Sequence, residues 1–453
     1  MPGKKNRGVL KIEDIITATR GKIIFSNSNI FTGISIDSRT IQEGELFIAL
    51  KGERFDGHDF LLEALRLGSG AIVKASPAEL IKGKTIICVE DTLNALQEIA
   101  HHMRLKRNIP VIGVTGSNGK TTTKELIASI LSSAFRVLKN EGNLNNHIGL
   151  PLTLTKIRET DEVAVLEMGA SNQGDIKELC EIALPDYGVL TNISPSHLEG
   201  FKDMETLRRT KLEILDNVNA IVVNADDLFL MEGVQDPGFR GRVVRYGVQN
   251  EAEIYASDIR PYEKGFIFVL NIGKTDSIKV HPKISGRFNI YNILAAASVA
   301  HLFKIDLKDI KNAIESFTSI PMRFEVKEIK GIQVISDVYN ANPASMEEAV
   351  KELIRLKKER AIAVLGDMLE LGPYTDEAHR RLIKWMSGLP IDIIVAVGPL
   401  MSFAASEFPR MVYTFQNSIE ARKEIKDICK EGDTILVKGS RGMSMERVLE
   451  NVI

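Results

Sequence analysis

The sequence predicts an α/β protein of three domains, with a central P-loop parallel-sheet domain and a C-terminal Rossmann-like, doubly wound domain. Short apolar strands alternate with helical stretches along the chain, which is typical of parallel sheets covered by helices. The length of 453 residues and the hydrophobic fraction of 44% are enough for about three domains with their own cores. Changes in the pattern place the domains at residues 1–108, 109–318 and 319–453.

The same alternation predicts the elements of each domain. In the first domain we expect strands at 33–37, 46–50, 71–74 and 85–89, and helices at 59–67 and 93–107. In the second we expect strands at 111–114, 163–168, 187–193 and 220–224, helices at 122–133, 289–302 and 307–317, and a small antiparallel annex within 243–284. In the third, strands at 333–336, 361–365, 391–397 and 434–437 predict another doubly wound sheet.

The composition argues against several classes of partner. Lys and Arg number 58 against 60 Asp and Glu, so the chain has no general attraction for nucleic acid or an anionic membrane. No apolar segment is long enough for a signal peptide or a bilayer span. The three cysteines show no metal-ligand spacing, which is typical of a reduced compartment. We therefore expect a cytoplasmic protein that neither binds nucleic acid nor inserts into a membrane. The sequence does not settle the oligomeric state, for which we expect a monomer.

A glycine-rich loop follows the predicted strand at 111–114. It consists of Thr115, Gly116, Ser117, Asn118, Gly119, Lys120, Thr121 and Thr122. Glycines let a backbone wrap phosphate oxygens, and the amides of the following helix N-terminus bind them. Lys120 can reach the β- and γ-phosphates of ATP, and the Thr121 hydroxyl can ligate Mg²⁺. The spacing differs from the common Walker form, whose first glycine would fall at Val114, and a plain glycine-rich turn is the alternative.

Two later side chains are candidates for the magnesium that accompanies a nucleotide. Glu167 ends an apolar strand, where a buried carboxylate is costly unless it is paired or coordinates a metal. His197 follows the next predicted strand, although a surface or capping histidine is the alternative there. Because the carboxyl ends of parallel strands meet at one edge of a sheet, both side chains are expected near the glycine-rich loop.

Several blocks, in the same order, resemble the Mur ligase family, the cytoplasmic enzymes that build the peptide stem of peptidoglycan. Besides the loop at 115–122, they are NLNNHIGLP at 143–151, EMGA at 167–170, NISPSHLE at 192–199 and GRFNIYNILAAA at 286–297. In the last block Phe288 stands where the family usually has a histidine. This departure concerns one base contact and not nucleotide binding as a whole.

Further blocks resemble the family member that adds D-alanyl-D-alanine. They are DVYNANPASM at 337–346, GDMLELG at 366–372 and VKGSRGM at 437–443, while residues 37–58 resemble its uridine-nucleotide domain. The resemblance implies an ATP-dependent ligase that joins D-alanyl-D-alanine to UDP-N-acetylmuramoyl-tripeptide through an acyl-phosphate, the last cytoplasmic step of peptidoglycan precursor synthesis. The first domain would bind the UDP-muramoyl peptide, the central domain ATP, and the third would complete the ligase.

The resemblance also implies roles around the phosphates. Lys211 looks like the family lysine that carbon dioxide converts to a carbamate, which with Glu167 and His197 would hold two Mg²⁺ ions. From the residues alone, a lysine in the charged run at 208–213 would lie on a solvated helix face. Lys120 and Arg323 would offset phosphate charge. Arg323 follows the inter-domain segment 320–321, and an ordinary surface arginine is the alternative.

Other polar residues of the matched blocks are candidate ligand contacts. Asn289 and Asn292 would lie on the adenine side of ATP and Asp337 at its ribose. The remaining candidates are Ser38, Arg39, Asp56 and His58 for the uridine nucleotide, Asn145 and Asn146 for the muramoyl peptide, and Asn340, Asn342 and Ser345 for D-alanyl-D-alanine or the nucleotide. A turn and helix-cap cluster is the alternative for the last three, which precede a predicted helix. Asp367 and Glu370 follow the strand at 361–365 and are similarly placed.

Two other classes of function share part of these features. Another Mur ligase or a folylpolyglutamate synthase-like amide ligase would have the same loop and mechanism, but the blocks at 339–346 and 366–372 argue against both. A kinase or a nucleotide-gated binding protein would keep the loop, but it would have no evident use for Lys211 and His197. The sequence leaves open whether the tripeptide ends in lysine or diaminopimelate.

Overall fold

The computed structural model describes residues 9–74, 83–235 and 238–450, and most of its strands form three sheets of five, nine and six strands. The three sheets follow one another along the chain, and helices connect most of their parallel strands. This architecture confirms the predicted α/β class. The domain limits after residues 108 and 318 stay predictions.

The N-terminal sheet is small and mostly parallel. Its part of the chain contains helices α1 (Ile12–Thr19), α2 (Leu61–Leu67) and α3 (Thr92–Arg107), and strands β1 (Leu10–Lys11), β2 (Lys22–Phe25), β3 (Ile30–Phe31), β4 (Ile34–Ser35), β5 (Leu46–Ile48), β6 (Gly70–Val73) and β7 (Thr85–Cys88). The strand order is β2-β7-β6-β5-β4, and β2 is antiparallel to β7, while β1 pairs separately with β3. The predicted strands are confirmed within a few residues, whereas β1, β2 and β3 were not predicted.

The central sheet carries the glycine-rich loop. Its strands are β8 (Val111–Thr115), β9 (Val137–Lys139), β10 (Val163–Glu167), β11 (Tyr187–Leu190), β12 (Ala220–Asn224), β13 (Arg242–Gly247), β14 (Ile254–Tyr262), β15 (Gly265–Ile272) and β16 (Asp276–Val280). Its helices are α4 (Lys120–Leu131), α5 (Gly149–Leu154), α6 (Asp175–Ala183), α7 (Leu198–Phe201), α8 (Met204–Leu212), α9 (Leu228–Val234), α10 (Phe288–Leu302) and α11 (Leu307–Ser316).

The strand order of this sheet is β16-β15-β14-β13-β12-β11-β8-β10-β9. The seven strands β14-β13-β12-β11-β8-β10-β9 are parallel to their neighbours in this row. Strand β15 is antiparallel to both of its neighbours, β14 and β16. The small antiparallel annex predicted within 243–284 is present as β14, β15 and β16, at one edge of the central sheet. Strand β13 hydrogen-bonds to β12 and β14, so this segment extends the central sheet.

The C-terminal sheet is the second doubly wound one. It contains β17 (Glu325–Ile329), β18 (Ile332–Asp337), β19 (Ala361–Gly366), β20 (Ile393–Val397), β21 (Met411–Phe415) and β22 (Thr434–Lys438), with helices α12 (Pro343–Leu356), α13 (Thr375–Ser387), α14 (Pro399–Ala405), α15 (Ser418–Ile428) and α16 (Glu446–Leu449). The order is β17-β18-β22-β19-β20-β21, and all pairs are parallel except β17 with β18. The four strands predicted here are confirmed.

Strand β8 lies at the point that positions the site. It is flanked by β10 on one side and β11 on the other. The strands that follow β8 in sequence therefore lie on both sides of it in the sheet. Such a switch in strand order opens a crevice at the carboxyl ends of the strands. Val111, Ile112 and Val114 of β8 are fully buried, and burial of each such side chain contributes about 1.5–3 kcal/mol. The strand is thus a firm base for the loop.

Helix α3 joins the first sheet to the central one. Its residues pack in the core of the first sheet, and Ala100 also belongs to the core formed around helix α6. The guanidinium of Arg104, only 4% exposed, donates to the carbonyls of Ala183 and Leu184 at 2.9 and 3.0 Å and to Asp186 at 3.1 Å. In the part of the chain that the structure describes, no helix is long and apolar enough to cross a bilayer.

We predict that Arg104→Met destabilises the protein by about 2 kcal/mol, because two backbone carbonyls and a carboxylate lose their donor. Arg209→Met is the matched control, since Arg209 is 72% exposed and pairs with Glu205 on the same helix. That change should cost no more than about 0.5 kcal/mol. Urea unfolding followed by circular dichroism measures both, and equal midpoints for the two variants would show that Arg104 does not hold this junction.

Candidate functional site

The glycine-rich loop lies at the carboxyl edge of the central sheet, where three strands end side by side. The backbone register pairs Val114 of β8 with Glu167 of β10, and Thr115 with Leu190 of β11. Residues 115–122, Glu167 and the segment 191–194 are therefore neighbours in space. We call residues 115–122 the phosphate loop.

Two glycines are required by the shape of the phosphate loop. Gly116 has a φ of +135°, and a Cβ there would stand 2.1 Å from the Thr191 hydroxyl oxygen. Gly119 has a φ of +81°, and a Cβ there would stand 2.3 Å from the Asn292 amide oxygen. Both positions combine a backbone conformation that side chains disfavour with a close neighbour. Any other residue type would strain the backbone and would have to displace the Thr191 side chain at position 116 or the Asn292 side chain at position 119.

The start of helix α4 offers free backbone donors. Thr123 donates its amide to the Gly119 carbonyl at 2.9 Å. The amides of residues 119–122 have no acceptor within the described residues, as expected for the first turn of a helix. These four donors and the positive end of the helix dipole make an anion-binding surface.

The phosphate loop is held from behind by the segment after β11. The Thr191 hydroxyl donates to the Asn118 carbonyl at 2.6 Å, and the Ser117 hydroxyl donates to the Ser194 carbonyl at 2.8 Å. Lys120 folds back over the loop and donates to the carbonyls of Gly116 and Ser117 at 2.8 and 3.0 Å. Burial lowers the pKa of Lys120 and nearby Arg323 lowers it further, while Glu167 opposes both.

Glu167 is buried beside the phosphate loop, with 3% of its surface exposed. Its carboxylate accepts from the Thr121 hydroxyl at 2.7 Å and from the Asn145 amide at 2.8 Å. Both donors are neutral. A buried carboxylate that is hydrogen-bonded only to neutral groups has no cation bonded to it, and such an environment favours a metal ion.

A fully buried network behind Glu167 was missed by the sequence analysis. The Asn140 side chain accepts from the Glu167 amide and donates to the Glu167 carbonyl, both at 2.9 Å, and it also donates to the Leu144 carbonyl at 2.8 Å. Lys124 of α4, with no exposed surface, donates to the Asn140 carbonyl at 2.6 Å. The network fixes the end of β10 relative to the loop at 140–146.

His197 makes its contact with the C-terminal part of the chain. Its Nδ1 lies 2.5 Å from a carboxylate oxygen of Glu370, and this hydrogen bond lowers the pKa of Glu370. Across residues 9–74, 83–235 and 238–450, no three His, Cys, Asp or Glu side chains gather closely enough to hold a metal ion. Glu167 and His197 therefore need further ligands to form a metal site.

Lys211 lies in the interior, contrary to what its charged helix suggests. It is 2% exposed, and its ammonium lies 5.5 Å from the centre of the Phe201 ring. No hydrogen bond or ion pair of its side chain is found among the described residues. Burial holds the pKa of Lys211 well below its usual range, and the charge of Lys120 acts in the same direction. Burial thus disfavours the charged form of this amine.

Two candidates from the C-terminal part, Arg323 and Asp337, differ in how far their side chains are already bonded. The Arg323 guanidinium stacks 3.8 Å from the centre of the Tyr339 ring, and no carboxylate pairs with it in the described chain. The Asp337 carboxylate is already engaged, because it accepts from Lys438 at 2.5 Å and from the Phe324 amide at 3.2 Å. Arg323 is thus the freer of the two for a ligand.

The segment before helix α12 caps that helix and touches the phosphate loop. The Asn342 side chain accepts from the Ser345 backbone amide at 2.9 Å, and the Ser345 hydroxyl oxygen accepts from the Asn342 backbone amide at 3.0 Å. The two bonds form a capping box. The Asn342 side-chain amide also donates to Asn118 at 2.8 Å. Asn340 is occupied locally, where its side chain accepts from the Ala341 amide. The cap alternative is correct for Asn342 and Ser345, yet it coexists with a contact between the two parts of the chain.

The start of α10 lies against the phosphate loop. Asn292 donates to the Asn289 side chain at 2.8 Å and accepts from the Thr123 hydroxyl at 3.2 Å. Phe288 packs edge-on against Phe324 of the C-terminal part, with ring centres 5.1 Å apart. The aromatic ring thus joins two parts of the chain.

The remaining candidates make local contacts. Asn146 accepts from the amides of residues 148 and 149, while Ser38 donates to Glu63 and Arg39 forms a bidentate pair with Asp37. His58 lies 2.7 Å from Asp56 and accepts from the amide of residue 74. Their predicted roles in binding the uridine nucleotide and peptide stay predictions.

Comparison with known families places the whole arrangement. Three protein-family models match the chain. The model of the "Mur ligase family, catalytic domain" matches residues 30–104, that of the "Mur ligase middle domain" matches 114–300, and that of the "Mur ligase, glutamate ligase domain" matches 322–441. The chain belongs to the Mur ligase family. All three parts of this Mur ligase are covered, including the phosphate loop and the segment around Asn342.

Individual relatives match this Mur ligase over nearly its full length. The UDP-N-acetylmuramoyl-tripeptide--D-alanyl-D-alanine ligase of Bacillus subtilis (strain 168) is 34% identical, over 99% of this chain and 98% of its own. The enzyme of the same name from Escherichia coli (strain K12) is also 34% identical, over 92% of both.

Solved structures agree with these relatives. A crystal structure of MurF from Acinetobacter baumannii has a TM-score of 0.91 at 30% identity and covers 99% of both chains. The MurF ligase of Thermotoga maritima in complex with ADP has a TM-score of 0.82 at 31% identity, over 93% of this chain and 96% of that one.

We predict that Asn140→Ala destabilises this Mur ligase by about 3 kcal/mol and weakens nucleotide binding, because Glu167 loses its anchor while several buried groups are left unpaired. Asn143→Ala is the matched control, since Asn143 is exposed in the same loop. Thermal unfolding and titration with ADP measure the two effects. Normal stability and ADP affinity in Asn140→Ala would contradict the positioning role.

Proposed function

We propose that this protein is an ATP-dependent ligase that adds D-alanyl-D-alanine to UDP-N-acetylmuramoyl-tripeptide. The observation that carries the proposal is the direct contact between the nucleotide site and the C-terminal part, where Asn118 of the phosphate loop bonds to Asn342. Relatives that match over 92–99% of this chain carry that activity in their names. A site built from two parts suits a reaction that brings three substrates together.

The first step activates the peptide. A carboxylate oxygen of the tripeptide attacks the γ-phosphorus of ATP, the bond from that phosphorus to the β-γ bridging oxygen breaks, and ADP leaves with the electron pair. Such a transfer needs positioning and charge neutralisation more than covalent help. The amides of residues 119–122, Lys120 and Arg323 are the groups placed to provide them. The Lys120 ammonium would give up its hydrogen bonds to the carbonyls of Gly116 and Ser117 and donate to phosphate oxygens instead.

The second step forms the amide. The uncharged amine of D-alanyl-D-alanine attacks the carbonyl carbon of the acyl-phosphate, and a tetrahedral intermediate forms. The nitrogen loses a proton, and inorganic phosphate leaves as the carbonyl re-forms. Asn340, Asn342 and Ser345 are the proposed neighbours of the incoming dipeptide, and Asn145 and Asn146 those of the muramoyl peptide. No covalent enzyme intermediate is required.

Magnesium fits the residues present. Mg²⁺ bound to nucleotides takes one or two carboxylates together with phosphate oxygens and water. Thr121, Glu167, His197 and a carboxylated Lys211 would hold two ions, which would offset phosphate charge. The support is the buried carboxylate of Glu167, whose hydrogen-bond donors are neutral. Asp337, Asn289 and Asn292 would face the nucleoside.

Lys211 is suited to become a carbamate. The uncharged amine attacks the carbon of CO₂ and loses a proton, so a neutral amine is replaced by an anionic oxygen ligand. The support is its burial without a polar partner and the lowered pKa that follows from burial. We further propose that the enzyme acts as a monomer in the cytoplasm, where its three cysteines, free in the structure, would stay reduced.

We predict that phosphate release from ATP requires both UDP-N-acetylmuramoyl-tripeptide and D-alanyl-D-alanine. A colorimetric phosphate assay with each substrate omitted in turn measures this. Equal release with glutamate in place of D-alanyl-D-alanine would instead support a sister ligase or a folylpolyglutamate synthase-like enzyme. Release from ATP without any tripeptide would favour a kinase-like or nucleotide-gated protein.

We also predict that ¹³C-bicarbonate gives the protein a carbamate signal in ¹³C NMR, and that Lys211→Ala abolishes it together with most of the ligase activity. Lys177→Ala is the control, because Lys177 is exposed on helix α6 and should keep both. A carbamate signal that persists in Lys211→Ala, or full activity of that variant without added carboxylate, would exclude this role.

A further inference from the structure

The loop after β19 reaches from the C-terminal part to the candidate metal site. Its residue Glu370 places a carboxylate oxygen 2.5 Å from Nδ1 of His197. The Glu370 carbonyl accepts from the Glu199 amide at 3.3 Å. Gly372 approaches so closely that a Cβ there would stand 3.1 Å from the Glu199 Cα. Backbone and side chain therefore both bring Glu370 to His197.

The two partners have an unusual backbone conformation. His197 has a φ of +52° and Glu370 a φ of +64°, both in the left-handed region that side chains disfavour. Such conformations persist where the surroundings hold them, and they are found preferentially at functional sites. The contact between these two residues is thus made by two backbone positions that their surroundings must hold in place.

The pair determines which nitrogen of His197 is free. An ionised carboxylate can only accept hydrogen bonds, so Nδ1 must carry the proton that it shares with Glu370. In an uncharged imidazole the other nitrogen, Nε2, then has a lone pair. Nε2 has no hydrogen-bond partner among the described residues. Metal-binding histidines commonly donate their second nitrogen to a carboxylate in this way.

We propose that Glu370 is a positioning residue for His197, which it orients from the C-terminal part so that Nε2 can bind the metal. The inference rests on the metal role of His197 in the proposed function. If the contact favours metal binding, metal binding must equally favour the contact, because linkage between two equilibria is reciprocal. Docking of the C-terminal part and completion of the metal site would then support each other.

The test measures metal affinity directly, with Mn²⁺ as the probe in place of Mg²⁺. Free Mn²⁺ is titrated by electron paramagnetic resonance against the full-length protein saturated with ADP. Glu370→Ala should weaken Mn²⁺ binding about tenfold, as loss of a carboxylate partner typically does. Glu370→Gln keeps an oxygen that accepts from Nδ1, so its affinity should lie between those of Glu370→Ala and the unchanged protein.

Two controls separate orientation of His197 from other effects. Arg355→Ala removes a different contact between the same parts, in which Arg355 donates to the Lys264 carbonyl at 2.7 Å and stacks on Phe266. Glu407→Ala removes a similarly exposed carboxylate that pairs with Arg380 within the C-terminal part. Both variants should bind Mn²⁺ like the unchanged protein.

The outcomes decide between the possibilities. Unchanged Mn²⁺ affinity in Glu370→Ala, or an equal loss in Arg355→Ala, would overturn the positioning role. Because ADP and Mn²⁺ suffice for the measurement, it is independent of ligase activity. If the unchanged protein did not use D-alanyl-D-alanine, the proposed function would fail. Weaker Mn²⁺ binding by Glu370→Ala would still support the positioning of His197 by Glu370.

Discussion

The rest of the site depends on one buried carboxylate, that of Glu167. At 3% exposure it needs donors, and it takes them from Thr121 of the phosphate loop and Asn145 of the loop at 140–146. Asn140 fixes its backbone, and the buried Lys124 fixes Asn140. The phosphate loop and the loop at 140–146 are therefore both held against the end of β10. A buried carboxylate whose hydrogen-bond donors are all neutral is an environment that favours a metal ion.

The site is completed by the C-terminal part of the chain. Asn342 touches the phosphate loop, and Glu370 reaches His197. Arg323 lies near enough to Lys120 to lower its pKa further. Each contact comes from a segment that follows a C-terminal strand or precedes one, so small movements between the two parts would change all three. The proposed ligase chemistry is suited to such coupling, because water must stay away from an acyl-phosphate until the amine arrives.

Much of the fold was predictable because it follows from local pattern. The alternation of apolar strands and helices predicted the parallel sheets, and the glycine-rich loop predicted the nucleotide site. Strand β9 has only three residues, none of them fully buried, so it shows no apolar run from which a strand could be predicted. Missing β9 also hid Asn140, which directly follows it. The antiparallel strands within 243–284 were predicted, but their attachment to the central sheet through β13 was not, because apolar pattern does not show which strands pair.

The sequence by itself determined the α/β class, the phosphate loop and the candidate carboxylate, since these depend on residue types at short, fixed spacing. Tertiary structure alone decided the environments. It placed Lys211 in the interior, where the charged run at 208–213 suggests solvent, and it engaged Asp337 with Lys438. It also brought Glu370 to His197. Burial and long-range pairing set the charge state of a side chain, and neither can be read from its neighbours along the chain.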